Sequence, residues 1–590
     1  MRPIRDILSK LLAASRASPV LDEPQRFLLL SIVIGIFSGL VVVCFHIAIE
    51  YLNWNTIHSL ALPSNVLLLV WPALGGLAAF ALVSYVVPSA RGTGVNFTKA
   101  AVYASDGYIP FRSVLGKFAS CTLSIGTGNP MGPEDPALQM GAGIASLLGR
   151  IFHLTKDHMR LIAPIGAAAG IGAAFNTPIA AVLFVMEEVV AAWNAGVLGS
   201  IVLSSVSAVV VSRWFLGDQP LYRVPEFEMV GYSELLIYAA IGVAGGWLSA
   251  LFTRHAIPLR ARAQAVPDRY RSWLPALAGL AVGGIGMAAP ETLGAGYEVI
   301  DGALHDRFPW DMLLLFGMIK LFTTALCFCC GTPGGLFAPT LFVGAMLGGG
   351  LAGLAQLFWP METSSAGAYV LVGIGTFFGG VFRAPMTSVF MVFELSASYV
   401  IILPVMVANT IAILVSRRMQ HESLFALSAP QDGFDLPSVE ERRETPVMHV
   451  EDAMRRNRER VISNRIHVSE AIERLDTTGS DALIVEIRYG QWGWLTRRDL
   501  QRARDAGKGD QSVHDAVRTR PVTRVYPDLL IDQVLRNLAV YPLLPVASRM
   551  NSSFLLGTIA LDDVHQAYGI PLADAAGAAR PRKARHPAQS

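Results

Sequence analysis

G-T-G-N-P-M-G-P-E-D-P-A-L-Q-M-G-A, residues 126–142, sets two adjacent carboxylates, Glu134 and Asp135, inside a strongly apolar chain. Pro130, Pro133 and Pro136 each remove a backbone donor, so no continuous helix runs through the stretch. Pro136 is placed to open a helix through Ala137, Leu138, Met140 and Ala142. Glu134 then stands just before a helix N-terminus, where free N–H groups favour an anion. Asp135 reads as a second cap on the same start. An ionisable side chain at membrane depth is functional by default, and Glu134 is the first candidate.

The surroundings define that depth. Of 590 residues, 53% are hydrophobic and 16% charged, against about a quarter charged in an ordinary soluble domain. The chain is therefore a membrane protein in contact with lipid. A net charge of +2 carries no signal for nucleic acid, and none is expected as a partner. The five cysteines all fall in apolar segments. Cys327, Cys329 and Cys330 have no histidine or carboxylate at ligand spacing, which points to inert thiols and no metal. The first twenty-five residues carry Arg2, Arg5, Lys10 and Arg16 without a long apolar core. They read as a cytoplasmic segment rather than a cleaved signal peptide.

Spanning segments of about twenty apolar residues are expected at 27–52, 66–87, 197–215, 235–252, 274–289, 312–330 and 341–358. Two longer blocks, 161–190 and 369–415, are broken at Asn176-Thr177-Pro178 and Arg383-Ala384-Pro385. Broken spans survive only where protein or a water-filled cavity satisfies the freed backbone groups, which suits a transport pathway. The chain also repeats itself. Phe175-Asn-Thr-Pro178 with Glu187 returns as Phe382-Arg-Ala-Pro385 with Glu394, and a Gly-Ile-Gly triplet precedes each, at Gly170 and Gly373. Pro136-Ala-Leu-Gln-Met-Gly141 returns as Pro339-Thr-Leu-Phe-Val-Gly344. Two halves with Gly/Pro-broken helices in matching places are the pattern of a repeat transporter with its site at the repeat interface. The similarity leaves open whether the halves are inverted or parallel. Lys117 and Lys320 also lie in apolar runs, where Lys320 could neutralise a carboxylate, attract anions or snorkel.

Beyond Arg417-Arg418 the chain becomes polar, and this basic end suggests a cytoplasmic exit. Pro430, Pro437 and Pro446 mark a linker. From Val450 to Tyr568 a strand–helix–strand–strand–helix unit occurs twice, ending in Gly493-Trp-Leu-Thr496-Arg-Arg-Asp499 and Gly557-Thr-Ile-Ala560-Leu-Asp-Asp563. The tail after Ala575 is basic and low in apolar residues, as in a disordered segment.

These residues resemble the CLC family of chloride channels and proton/chloride exchangers, followed by a pair of CBS modules. Gly92-Thr93-Gly94-Val95-Asn96 resembles the family's G-S-G-I-P, and Gly132-Pro133-Glu134-Asp135-Pro136 resembles G-[KR]-E-G-P. Gly335-Leu336-Phe337-Ala338-Pro339 matches G-x-F-x-P. The resemblance implies an all-α multi-pass membrane domain of two repeated halves plus a cytoplasmic α/β CBS pair. The expected boundaries are a segment 1–25, a transport domain 26–426 with halves 26–255 and 270–426, and a linker 427–449. Modules 450–508 and 509–570 and a tail 571–590 follow.

The resemblance also assigns roles: Glu134 as the gate, and Glu188, with Glu187 beside it, on the proton pathway. Thr93, Gly94, Leu336, Phe337 and Phe425 are the implied anion contacts. Helix N-termini suit this task, because a full lysine charge would hold the ion too tightly to release it. Thr496, Asp499 and Asp563 match positions that hold an adenine nucleotide in CBS pairs, although Ala560 replaces the second Thr/Ser. The implied partners are chloride, protons and a second copy of the chain, in a cell membrane with the N-terminus and CBS pair cytoplasmic.

Several positions depart from the pattern. Asp135 stands in place of glycine and Asn96 in place of proline. Phe425 replaces an expected tyrosine and so lacks a hydroxyl donor, which suggests loosened coupling. A passive voltage- or pH-gated chloride channel is the alternative, and a fluoride- or nitrate-preferring member of the family is a further one. An intramembrane enzyme is not expected, because His46, His58, His153, His158 and His255 show no i, i+4 metal spacing.

Overall fold

Both halves of the membrane region lay out the same succession of eight helices. The first half runs Glu23–Asn53, Ser64–Ala81, Gly94–Ala104, Phe111–Gly126, Glu134–Ile151, Lys156–Phe175, Pro178–Phe184 and Ala195–Leu216. The second runs Glu234–Gln264, Leu274–Gly286, Tyr297–Leu304, Trp310–Cys330, Phe337–Phe358, Ala366–Phe382, Pro385–Ser396 and Ile402–Met419. The computed structural model describes residues 23–58, 64–190, 195–218, 222, 224, 231, 234–358, 365–436, 448–488, 491–551 and 553–568. The N-terminal residues 1–22, the prolines at 437 and 446 and the basic tail from 569 lie outside the described residues. Among the described residues, eight helices are long and apolar enough to cross a membrane.

The chain divides into two compact units, 1–442 and 443–590. Within the first, the second half begins with the helix Glu234–Gln264, so the division expected between 255 and 270 falls inside or after that helix. The packing shows why. Gly35 and Gly39 of the opening helix leave no room for a Cβ against Ser204 and Ala208, and Gly242 and Gly246 do the same against Ala408 and Ala412. Each half thus clasps its last helix with its first. The expected linker at 427 also starts too early. Leu424–Ser428 is a further helix, Ser428 is buried, and the Asp432 side chain is 2% exposed. That polar stretch stays with the membrane unit because its donors and acceptors find buried partners there.

Small residues let helices approach where lipid supplies no hydrophobic drive. A Cβ on Gly141 would stand 2.2 Å from the Gly166 carbonyl oxygen, and one on Gly344 would stand 2.4 Å from that of Gly373. The two broken blocks break at equivalent residues: Asn176 (φ 59°) and Arg383 (φ 60°) both turn left-handed before a proline opens the next helix. Lys117 and Lys320 form another matched pair. Lys117 donates to the carbonyls of Gly92 and Ala90 at 2.7 and 3.3 Å, and Lys320 to those of Gly294 and Thr292 at 2.5 and 3.0 Å. Both are buried. Neither snorkels: Lys117 donates to the turn that leads into Gly94–Ala104, and Lys320 to the turn that leads into Tyr297–Leu304.

The second unit also repeats. Val461–Ser463, Val468–Thr478, Ala482–Arg488, Gln491–Thr496 and Arg497–Asp505 form strand, helix, strand, strand, helix. Val461–Ser463 pairs parallel to Ala482–Arg488, which pairs antiparallel to Gln491–Thr496, and Arg520–Pro521 adds a fourth strand. In the second copy the first strand is reduced to one bridge, Val525 to Val546. Ile531–Leu538, Leu544–Ala547, Leu555–Ile559 and Leu561–Ala567 follow. Ala482, Ile484 and Trp492 of one copy share a core with Leu543, Ala547 and Leu555 of the other.

Candidate functional site

The two Gly/Pro motifs meet directly. Gly132 and Gly335 exchange backbone hydrogen bonds in both directions, each 2.7 Å. A side chain on Gly132 would collide with the Glu134 carboxylate at 2.3 Å, and one on Gly335 with the Asp135 Cβ at 2.8 Å. Both glycines are needed for the first turns of Glu134–Ile151 and Phe337–Phe358 to face each other.

Glu134 is the first residue of its helix, with Pro133 as N-cap, two positions earlier than Pro136 suggested. Its side chain is fully buried and reaches across to the other half. Oε2 accepts from the Ala338 N–H at 3.3 Å, and Oε1 accepts from the Tyr297 hydroxyl. Leu336 and Phe337 sit at the same helix start, 3% and 1% exposed. The Phe337 ring is boxed by Phe382 at 4.9 Å, Phe184 at 5.1 Å, Phe378 at 5.5 Å and Phe425 at 6.0 Å between centroids. Phe425 itself stacks on Phe382. In place of a donor, Phe425 contributes the wall of an aromatic box.

Three expectations need correction. Asp135 does not cap its own helix. Its oxygens accept from the N–H groups of Gly94 and Val95 at 2.7 and 2.9 Å, closing the start of Gly94–Ala104. The Gly94 N–H is therefore occupied by a carboxylate rather than open to a transported anion. Glu187 is likewise a cap: it accepts from Met386 N–H and Thr387 N–H at 2.9 Å and from the Thr387 hydroxyl at 2.7 Å. Glu394 returns the bond, accepting from Ile179 and Ala180 N–H at 2.9 and 2.7 Å. With both oxygens bonded to the partner half's helix start, Glu187 is a structural residue.

Glu188 has a different role. It is 4% exposed and forms an ion pair with Lys99, itself 5% exposed, on the Gly94–Ala104 helix. Two charges out of water need each other, since leaving one unpaired costs several kcal/mol. Thr93 caps that same helix. Its N–H and hydroxyl lie 3.3 and 3.2 Å from the Asp432 carboxylate. The structure thus gathers Glu134, Phe337 and Phe425 at one helix start, while Thr93 caps Gly94–Ala104 and Glu188 pairs with Lys99 farther along that helix.

Sequence reading missed Tyr297, Lys99 and Asp432. Tyr297 was reachable through the repeat, because it opens the helix that corresponds to Gly94–Ala104. Lys99 gave only the signal of a lone lysine in an apolar run. Asp432, in Pro-Gln-Asp-Gly, looks like any surface turn.

In the second unit, Thr496 and Asp499 bond mainly to each other. The Thr496 hydroxyl and N–H reach Asp499 Oδ2 at 2.7 and 3.0 Å. Partial burial pushes the Asp499 carboxyl up, but these bonds and the nearby Arg520 and Arg502 bring it below its ordinary value. Asp563 is held by Arg455 and Arg460, both at 2.6 Å, and accepts from the Ala560 N–H. Its oxygens are committed inside the unit. Among the described residues, no three His, Cys, Asp or Glu side chains are grouped to hold a metal ion.

A duplicated bundle of broken helices with a buried carboxylate on an opposing helix start defines a class: a multi-pass membrane protein of the ion-transport kind. Residues 75–417 match the Voltage gated chloride channel family, and the chain belongs to that family. It is 34% identical over 396 residues to a putative chloride channel protein, ClcB-like, of Ralstonia nicotianae, covering 64% of this chain and 90% of that one. It is 29% identical over 417 residues to the H(+)/Cl(-) exchange transporter ClcA of Yersinia pestis, covering 68% and 87%. The fold is that of a slow cyanobacterial Cl-/H+ antiporter (TM-score 0.64, 22% identity, 69% of this chain and 97% of that one). It is also that of a eukaryotic CLC transporter (TM-score 0.60, 18% identity, 91% and 98%).

Proposed function

We propose that this chain moves chloride across the membrane in exchange for protons, with Glu134 as the gate. The observation that carries this reading is the buried Glu134 carboxylate bonded to Ala338 N–H, on the helix start where Leu336 and Phe337 are the proposed anion donors. Carboxylate and chloride compete for the same partial charge. A protonated Glu134 gives up that claim and admits the anion, so the same group couples the two ions. Glu188 is the proposed second proton station, and Thr93 and Phe425 the proposed lining of the anion path. The exchanger names of the relatives support the reading.

The Lys99 partner of Glu188 and the missing hydroxyl at Phe425 favour a second reading, exchange that leaks, with a passive channel as its limit. Chloride and proton fluxes in vesicles under opposed gradients separate them. Exchange requires that a chloride gradient drive protons uphill; if it does not, the channel reading replaces it.

For the second unit the proposal is a CBS pair, modules 450–508 and 509–570. The twofold strand–helix order supports it, as does a likeness to the eukaryotic transporter extending over 91% of the chain. An adenine nucleotide is proposed for the open groove of about 600 Å³ lined by Asp499, Arg502, Lys508, Arg518 and Arg520, with its ribose on Asp499 and its phosphates on the arginines. Asp563 takes no part, being held by Arg455 and Arg460. Calorimetry with ATP, ADP and AMP on the full-length protein tests this; no heat with any of them leaves a packing role. A homodimer with one pathway per subunit, and cytoplasmic termini after the basic Arg417-Arg418, complete the proposal; light scattering and protease accessibility in oriented vesicles test these two points.

A further inference from the structure

One departure from the family's sequence pattern, Asn96, joins Thr93 and Arg260 on a single carboxylate. Asp432 Oδ2 lies 3.3 Å from the Thr93 N–H nitrogen, 3.2 Å from the Thr93 hydroxyl and 3.2 Å from the Asn96 amide nitrogen. Oδ1 accepts from Arg260 at 2.6 Å. Asn96 stands where the related motif has proline, which has no side-chain donor to offer. It also bonds Ser428, three residues after Phe425. Gly92 completes the cradle. Its φ is +76°, and a Cβ there would meet the Asp432 carboxyl carbon and Oδ1 at 2.8 Å. The Asp432 side chain is only 2% exposed, so the carboxylate is a built-in occupant of a prepared site.

The site is prepared for an anion. Four donors, two from Thr93 and one each from Asn96 and Arg260, surround one negative group. Arg260 is 7% exposed and lies over the Phe328 ring, and its Nε and second terminal nitrogen have no hydrogen-bond partner among the described residues. These groups border a cavity of about 490 Å³ that Arg91 and Arg271 also line. Without Asp432, a buried guanidinium beside an ion path would trap an anion. A tethered carboxylate that returns to it would displace the anion again.

We propose that Asp432 is a second carboxylate gate, which occupies the Thr93–Asn96–Arg260 donor set and must leave it for chloride to bind there. This rests on the reading of Thr93 as part of the anion path. The pathway then carries a competing acid at each of two stations, Glu134 at the Phe337 helix start and Asp432 at the Gly94 helix start. The cavity gives the displaced side chain room, and the Gly433 turn beside it has nothing within 4 Å of its Cβ position.

Chloride titration of the full-length protein in detergent by calorimetry tests the proposal. Asp432→Asn keeps the shape and removes the charge, and is expected to tighten chloride binding about tenfold. Gly92→Ala places a Cβ 2.8 Å from the Asp432 carboxyl carbon and Oδ1, which crowds the carboxylate off the donors while leaving every donor in place, and is expected to tighten it two- to fivefold. An ordinary structural ion pair predicts unchanged or weaker binding in both variants, and either result in a monodisperse variant overturns the gate. If Asp432→Asn does not fold, Gly92→Ala decides alone by the same criterion. The exchange reading is scored separately. Tighter binding in Asp432→Asn with no proton coupling in the parent protein sinks exchange and keeps the gate. Coupled flux with unchanged affinity does the reverse.

Discussion

The two halves of the membrane unit share a scaffold and differ in what they mount on it. Gly132 faces Gly335, Lys117 answers Lys320, Asn176 answers Arg383, and Glu187 and Glu394 cap each other's helices. At the first two positions of the converging helices the match fails: Glu134 and Asp135 stand in one half, Phe337 and Ala338 in the other. The backbone of each start can take an anion. Only the first half also supplies one. Duplication therefore gives the architecture, and the break in symmetry at two residues gives the chemistry.

The largest expected effect lies at that break. Glu134→Gln should abolish both proton coupling and the pH dependence of chloride flux, whereas Phe337→Leu at the corresponding position should change flux by a few-fold at most. Equal losses in the two variants would show that the asymmetry is not what couples the ions. Next comes Asp135→Ala, which leaves the buried N–H groups of Gly94 and Val95 without acceptors. At about 1–3 kcal/mol per orphaned donor, it should lower thermal stability in detergent more than any single scaffold change.

The shared scaffold predicts equality. Glu187→Gln and Glu394→Gln each keep one acceptor oxygen and should each cost about 1–2 kcal/mol. A difference between them of more than ~1 kcal/mol in denaturation midpoints, converted through a common slope, would mean that the halves are not energetically equivalent. The smallest effect belongs to the second unit, whose copies repeat the theme: Thr496 caps a helix where Ala560 cannot. Thr496→Ala should cost about 1 kcal/mol, read as faster hydrogen exchange in Arg497–Asp505. Because the Asp499 carboxyl is held below its ordinary value, its contribution is fully present above about pH 4. That contribution is lost as the pH falls through the folded-state value, so exchange in this helix should accelerate only under acid conditions.

Legibility in the sequence followed the same division. The repeat could be read because glycine and proline leave marks at fixed spacing: Gly132 and Gly335, Pro178 and Pro385. Glu134 was legible as an acid in an apolar setting. What could not be read was which N–H each acid serves. Asp135, Glu187 and Glu394 all reach partners in other helices, 40 to 215 residues away, and spacing along the chain carries no trace of such pairs. Asp432 was hidden for a related reason. Pro-Gln-Asp-Gly has the composition of an exposed turn, and the partners that enclose Asp432 lie far upstream, Arg260 by 172 residues and Asn96 by 336.

The crossed glutamates set a schedule for the chain's own synthesis. Ile179 waits for Glu394, 215 residues downstream. At roughly 5–20 residues per second that is about 10–40 s of elongation. Throughout this interval the broken helix of the first half sits in the membrane with its leading N–H groups lacking their final acceptor. A chain stopped between the halves therefore presents a helix start whose acceptor has not yet been made.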